Sequence, residues 1–419
     1  AVQRINGSGG IKMCAKSPDE LAKERLARIQ AAMNLEEPDR VPCWGVGGDI
    51  VPAYAGITQY EFCYESEKTL MAIEKFLRDF PFDTGMAGLM GLDGRVFSVA
   101  FSEFPDISPG IAFITGPIHD ALGDKYCRYP GREIDENASP QFIGGTFMQP
   151  EEYDQLIEDP VGFIAETILP RACTNLETKR KAMATWVRVG MEISKAGPAY
   201  AELGKILAEL GYPSMPMGWG YAPMDIIGDF LRGISNAVLD VRRYPDKVKK
   251  AIDALTEPVI QYSLATVQGG AKIAMFPLHL NEYLSPKLYN EFYWPSLKKV
   301  IMRFYEEGVK SQVFFEGHHE PHLETILELP KGWGVAYFEK TDVVKAKEVL
   351  QGHTCIMGGI PMSLLVSGTP QEIDDFIKDL LKKMKPGGGF ILAAGVNVAP
   401  ANTPPENIHA LIEAVEKYG

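Results

Sequence analysis

Strand-like and helix-like segments alternate with short connections through the second half of the chain, and that pattern admits few folds. "AKIAMFPL" is followed by "SPKLYNEFYWPSLKKVIMRFYEEG", "SQVFFEG" by "PHLETILELP", and "GVAYFEK" by "DVVKAKEVLQG". "HTCIMGGI" is then followed by "TPQEIDDFIKDLLKKM", and "GFILAAG" by "PPENIHALIEAVEKY". Parallel βα units produce this order, because neighbouring parallel strands need a crossover between them. Further upstream, "PDELAKERLARIQAAM" and "EKTLMAIEKFLRDFP" have helical spacing, and "DRVPCWGVGGD" reads as a strand running into a glycine-rich loop. "AYAELGKILAELG", "PMDIIGDFLRG" and residues 237–270 are predicted helical, whereas residues 95–148 are mixed, with strand-like "GIAFITG" and "FIGGTFM". At least five βα units after residue 200, with one or two before residue 100, predict a (β/α)8 TIM barrel with an N-terminal helical extension. Residues 1–12 are expected to be a remnant of expression, and residues 13–419 a single barrel domain.

In such a barrel the chemistry sits where strands end and helices begin. "IAMFPL" ends in His279, Asn281 and Glu282; "QVFF" in Glu316, His318 and His319; "VAYF" in Glu339; "FILAA" in Gly395 and Asn397. These side chains are expected to converge on one mouth. Imidazoles and carboxylates gathered there can hold a borderline cation or serve as acid and base. The predicted catalytic set is Glu316, His318, His319 and Glu339, with Glu316 and His318 as candidate metal ligands. His279, Asn281, Glu282, Asn397, Trp44 and Tyr337 are the candidate substrate contacts. Each has a plainer alternative. His319 and His322 can be solvated residues of the following helix, His279 a hydrogen-bonded core histidine, and Glu339 a partner of Lys340. Cys355, flanked by apolar residues, fits inert core better than ligand. Gly317 is expected to turn the chain sharply after the strand. Pro321 is expected to start the next helix, leaving His319 at the loop rim and His322 near-silent to substitution.

The bulk numbers narrow the partners. A net charge of −13 disfavours general nucleic-acid or anionic-membrane binding. No apolar run approaches the roughly 20 residues of a spanning helix, and no secretory leader is visible, so a cytoplasmic location is expected. The six cysteines are scattered without a CxxC pair, as expected of reduced thiols. "GLMGLDG", "GGGF" and "GVGGD" lack the setting of a nucleotide-phosphate loop.

"LEEPDRVP" (35–42), "YLSPKLYNEFYWPSLKKVI", "GGIPMSLLVSGTPQEIDDFIKDLL" and "GGGFILAAGVNVAPANTPPENIHAL" resemble segments of the uroporphyrinogen decarboxylase superfamily, which includes corrinoid-dependent methyltransferases. The resemblance runs from about residue 20 to the end, is closest in the last 160 residues, and implies a (β/α)8 barrel. The decarboxylase's arginine-rich loop after the first strand is here "GVGGDIVPAY", without arginine, which argues against a polycarboxylate tetrapyrrole. The thiol-methylating members' zinc motif, His-x-Cys and a later Cys, is here Glu316-Gly317-His318 and a position near Val396-Asn397. A harder zinc site from Glu316, His318 and His279 or Glu339 would be the counterpart. The resemblance implies a methyltransferase of O-demethylase type. It would move methyl from a small-molecule methyl ether or methoxylated aromatic to the cobalt of a corrinoid (cobalamin) on a separate protein. No "DxHxxG" cobalamin motif is present. Methylation of a thiol from methylcobalamin, or a non-catalytic small-ligand binder, are the alternatives. A homodimer is a further expectation.

Overall fold

The structure is a computed structural model that describes residues 16–85 and 91–419. The 1–12 segment, Met13, Cys14 and part of "GLMGLDG" lie outside the described residues. Six parallel strands form one sheet in sequence order: β1 (Met217–Trp219), β2 (Ile273–Leu278), β3 (Lys310–Phe315), β4 (Gly334–Phe338), β5 (Cys355–Ile360) and β6 (Phe390–Ala394). The first predicted strand continues the ring beyond β6. Trp44 donates its backbone N–H to Leu392 O at 2.8 Å, and Leu392 donates back to Pro42 O at 2.9 Å. Residues 82–85 follow it, with the Asp83 N–H on Cys43 O at 3.1 Å. Eight positions therefore surround the axis of a TIM barrel. The chain leaves the barrel after residue 85 and returns at Met217.

The strands are buried on both faces, and their alternation separates two apolar cores. One face carries Ile273, Phe314, Val335, Tyr337, Cys355, Met357, Ile391 and Ala393, which with Trp44 fill the lumen. The other carries Ala274, Phe276, Leu278, Val313, Phe315, Ala336 and Phe338, which pack against the surrounding helices. The helical excursion shares that outer core through Phe97, Tyr126 and Phe163. The N-terminal helix Pro18–Met33 opens on a Ser17–Glu20 capping box with proline in its first turn. Its Ile29, Ala32 and Met33 join the lumen cluster, so this helix stoppers the N-terminal end of the barrel. Among the described residues no helix is long and apolar enough to cross a membrane.

Several sequence expectations change. "GIAFITG" and "FIGGTFM" supply only the two-residue strands Phe113–Ile114 and Gln141–Phe142. "PHLETILELP" is a 3-10 helix, Glu320–Glu328. "AYAELGKILAELG" is the end of a 31-residue helix, Lys179–Glu209. The predicted helix over 237–270 is two, Ile234–Arg243 and Pro245–Ala265, because Pro245 cannot continue the first.

The strand at 41–47 is fixed by one buried carboxylate. Asp83 accepts from Arg28 at 2.6 Å, Arg40 at 2.8 Å and the Cys43 N–H at 2.7 Å. Asp83→Ala leaves two guanidinium groups without their shared anion, and a broken buried pair costs about 3–5 kcal/mol. Urea unfolding at neutral pH is expected to show a loss of that size.

Candidate active site

Strand register brings the site together. Leu278 pairs with Phe315, and Phe315 with Phe338. The next rung of the same ladder holds His279, Glu316 and Glu339, all at lumen-facing parity with Met275, Phe314 and Tyr337. His279 Nε2 stands 3.5 Å from Glu316 Oε1. Its Nδ1 lies 2.8 Å from Asp229 Oδ2, and the Tyr221 hydroxyl donates to the same carboxylate at 2.5 Å. Asp225 anchors the backbone below: it accepts from the His279 N–H at 3.1 Å, the Leu280 N–H at 3.0 Å and the Tyr293 hydroxyl at 2.6 Å.

These groups hold protons that ordinary side chains would exchange at other pH values. Burial opposes charge on His279, but Asp229, then Glu316 and Asp225, outweigh it, and the imidazolium persists well above its usual range. Burial pushes the Glu316 carboxyl up to about 7 despite the imidazolium beside it, with Glu339, Asp229 and Glu282 adding to the rise. Burial and then Asp229 push Asp225 up to about 7 as well.

The polar stretch after β3 divides by function. Gly317 has φ +66°, and a Cβ there would run into the Glu282 carboxylate. Its N–H donates to Glu339 Oε2 at 2.6 Å, which ties the turn to the neighbouring strand. His318 lies at the rim, its side chain 68% exposed and its Nδ1 3.7 Å from Glu320. His319 is not at the rim, as its position before Pro321 suggests, but fully buried, with its backbone N–H on Thr341 Oγ1 at 2.8 Å. Burial and then His322 push its imidazole well below the usual range. His322 is also buried rather than solvated, stacked on Tyr289 with ring centroids 4.1 Å apart. The 3-10 winding explains the difference, since its tighter turn directs both rings inward against Phe315 and Tyr289.

Asn281 is buried, donating to Glu316 O at 2.8 Å, so it braces the rung from behind. Glu282 lies beside Gly317. Trp44 and Tyr337 are in the lumen; Tyr337 stacks on Phe314 at 4.4 Å and donates its hydroxyl to Ala394 O at 2.7 Å. Asn397 follows β6, and its buried Oδ1 has no partner among the described residues. Beside Glu339 a cavity of about 860 Å³ opens between Lys340, Gly359, Phe376 and Val396. Sequence reading missed Asp225 and Asp229. Their signal was present: two acids four residues apart are the only charges in "PMDIIGDFL", an otherwise apolar helical run.

The expected metal pair is not joined. Glu316 engages His279, His318 engages Glu320, and among the described residues no three His, Cys, Asp or Glu side chains stand in ligand geometry. Cys355 sits within the lumen cluster, its thiol pushed up by burial, so a thiolate zinc centre does not fit this donor set.

Residues 191–418 match the family model "Uroporphyrinogen decarboxylase (URO-D)", and the chain belongs to that family. Uroporphyrinogen decarboxylase of Coxiella burnetii is 26% identical over 178 residues, 42% of this chain and 48% of the relative. Methylcobamide:CoM methyltransferase MtaA of Methanosarcina barkeri is 29% identical over 230 residues, 53% of this chain and 64% of the relative. The chain thus spans about half the length of the curated decarboxylases it matches. A solved methyltransferase from Methanosarcina mazei shares the fold, with a TM-score of 0.61 over 95% of this chain and 98% of that one at 18% identity.

Two outcomes test the site. Unfolded Glu316 releases its proton near its ordinary 4.5, the folded group near 7. Between those values the folded state binds more protons, so stability falls as pH rises. Glu316→Gln is expected to reduce that slope, leaving the part due to Asp225, and, at pH ~8, to be more stable than the parent by roughly 1–3 kcal/mol. Melting curves across the pH range read it. His322→Ala is expected to cost about 1–3 kcal/mol through lost stacking, whereas His318→Ala falls within about 0.5 kcal/mol; chemical denaturation separates the two.

Proposed function

We propose that the protein is a methyltransferase moving a methyl group from a methyl ether or methoxylated aromatic to the cobalt of a corrinoid carried by a separate protein. The observation that carries the reading is Glu316, held half-protonated near neutral pH at the barrel mouth beside the Asp229-clamped His279. A methyl ether is inert because alkoxide and phenoxide leave poorly. A carboxylic acid poised at the ether oxygen supplies the missing proton as the C–O bond breaks, and general acids of this kind contribute about 10²–10⁴ in rate. The methyl goes to cobalt, the oxygen takes the Glu316 proton, and the adjacent imidazolium balances the carboxylate left behind. Trp44, Phe314 and Tyr337 form the buried aromatic floor beneath the mouth, and Asn397 Oδ1 is an acceptor without a partner among the described residues. The neighbouring methyltransferases support the class of reaction; the missing arginines in the 45–54 loop weigh against decarboxylation.

A second reading, thiol methylation from methylcobalamin, draws on the similarity to MtaA. A thiol-dependent loss of methyl from methylcobalamin, with no ether accepted, would favour it.

Formation of methylcobalamin from cob(I)alamin and a panel of methoxylated phenols tests the proposal, and failure of every donor overturns it. Glu316→Gln is expected to lower kcat by at least about a hundredfold with a smaller change in donor KM, and His318→Ala by less than about tenfold.

A further inference from the structure

Strands β4 and β5 part at the mouth. Their ladder ends at Tyr337–Met357, whereas β5 stays paired with β6 as far as Ile360–Ala394. The end of β4 is held the other way, towards β3: Glu339 donates its N–H to Phe315 O at 3.3 Å, and Lys340 to Gly317 O at 3.2 Å. Gly358 and Gly359 lie where the strands separate, with φ of +130° and +102°. A Cβ at Gly358 would meet Phe338 O at 2.6 Å, and one at Gly359 would meet Leu380 at 3.0 Å and Val343 at 3.2 Å. Glycines weaken a strand interior, and they mark places where a ligand or another backbone comes close.

The cavity of about 860 Å³ occupies this opening. Glu339 and Val396 line its inner end, and Val396 packs on the lumen cluster, so the cavity is continuous with the mouth. Its middle is apolar, between Val344, Ile360, Phe376 and Leu380. Its charged lining is Glu339, Asp342, Asp375 and Asp379 against Lys340 and Lys383. The other directions from Glu316 are filled. Below it Phe314 and Tyr337 are buried in the packed lumen. Beyond His279, the rings of Tyr221 and Phe142 stand 6.0 and 6.3 Å from the imidazole.

We propose that this cavity seats the arm of the methyl donor, the substituent remote from the reacting methoxy group, and that the arm is an apolar, uncharged chain. Only the identity of the reacting end is taken from the donor reading above; the chemistry of the arm comes from the cavity. Phe315 pairs with Phe338, so Glu316 and Glu339 are neighbours on the next rung. A methoxy group at Glu316 therefore places the rest of the molecule beside Glu339, at the inner end of the cavity. The apolar middle gains by taking hydrocarbon out of water. A carboxylate at the end of the arm would face four acids against two lysines, which disfavours it. The donor is thus an ether larger than a bare methoxylated ring, extended by a hydrocarbon substituent.

The test uses the full chain with methoxyphenol and with methoxyphenols that carry, at each ring position in turn, a hexyl chain or a hexyl chain ending in carboxylate. Calorimetry reads binding, and methyl transfer to cob(I)alamin reads kcat/KM. Each methylene taken out of water tightens binding about fourfold, so the best hexyl isomer is expected to bind at least about a hundredfold more tightly than methoxyphenol. Its carboxylate-ended analogue is expected to bind at least about tenfold more weakly than that isomer. Ser363→Trp, from an exposed position on the helix after β5, and Val344→Phe, from a half-buried one on the helix after β4, narrow the cavity. Each is expected to lower the hexyl-to-methoxyphenol ratio by at least about tenfold, in affinity and in kcat/KM. Hexyl isomers that bind no more tightly than methoxyphenol overturn the proposal. So does a ratio that neither variant lowers, or a carboxylate-ended chain bound as tightly as the hexyl. Arm-dependent binding that the variants remove, with no methyl transferred from any donor, upholds the arm site and overturns the ether reading. Transfer from every donor at one kcat/KM, in parent and variants alike, upholds the ether reading and overturns the arm site.

Discussion

The His279 imidazolium is the element on which the rest of the site depends. It joins β2 to the acid-bearing helical segment at 223–231 through Asp229 and to the end of β3 through Glu316. Without it, the buried Asp225 and Asp229 and the half-buried Glu316 would gather at the mouth with no countercharge, which low-dielectric surroundings do not tolerate. With it, two of the three retain protons to about pH 7, and the strand ends stay together in a cluster that can give a proton and take it back. The same residue thus answers for cohesion of the mouth and for its acid–base character.

Closure of the barrel supplies the geometry. Parallel strands in register place every second residue on the axis, so lumen-facing positions climb from apolar side chains to ionisable ones where each strand ends: Phe314 to Glu316 at the end of β3, Val335 and Tyr337 to Glu339 at the end of β4. Family membership then adds chemistry that the geometry alone would leave open.

The alternation of strands and helices after residue 270 was legible because each element there has one consistent period and short connections. The rung of His279, Glu316 and Glu339 was legible for the same reason, each residue ending an apolar run. What could not be read was anything fixed by contacts across the chain. His319 and His322 look solvent-facing in a polar stretch, yet tertiary packing against Phe315 and Tyr289 buries them. Asp225 and Asp229 stand out as the only charges of an apolar run, but their partner, a histidine about fifty residues away, is set by the fold. Between residues 91 and 178 the excursion has short and irregular elements, so its periodicity is weak, and its core is shared with the barrel.

The helix Pro18–Met33 closes the tube at its base. A vessel with one opening imposes order in time. Under the proposed methyl transfer, a donor reacting above Tyr337 would enter and depart by the strand ends, and a corrinoid protein seated on that rim would trap whatever is already inside. The donor would then board first and disembark last, so saturating amounts of the larger partner would slow turnover.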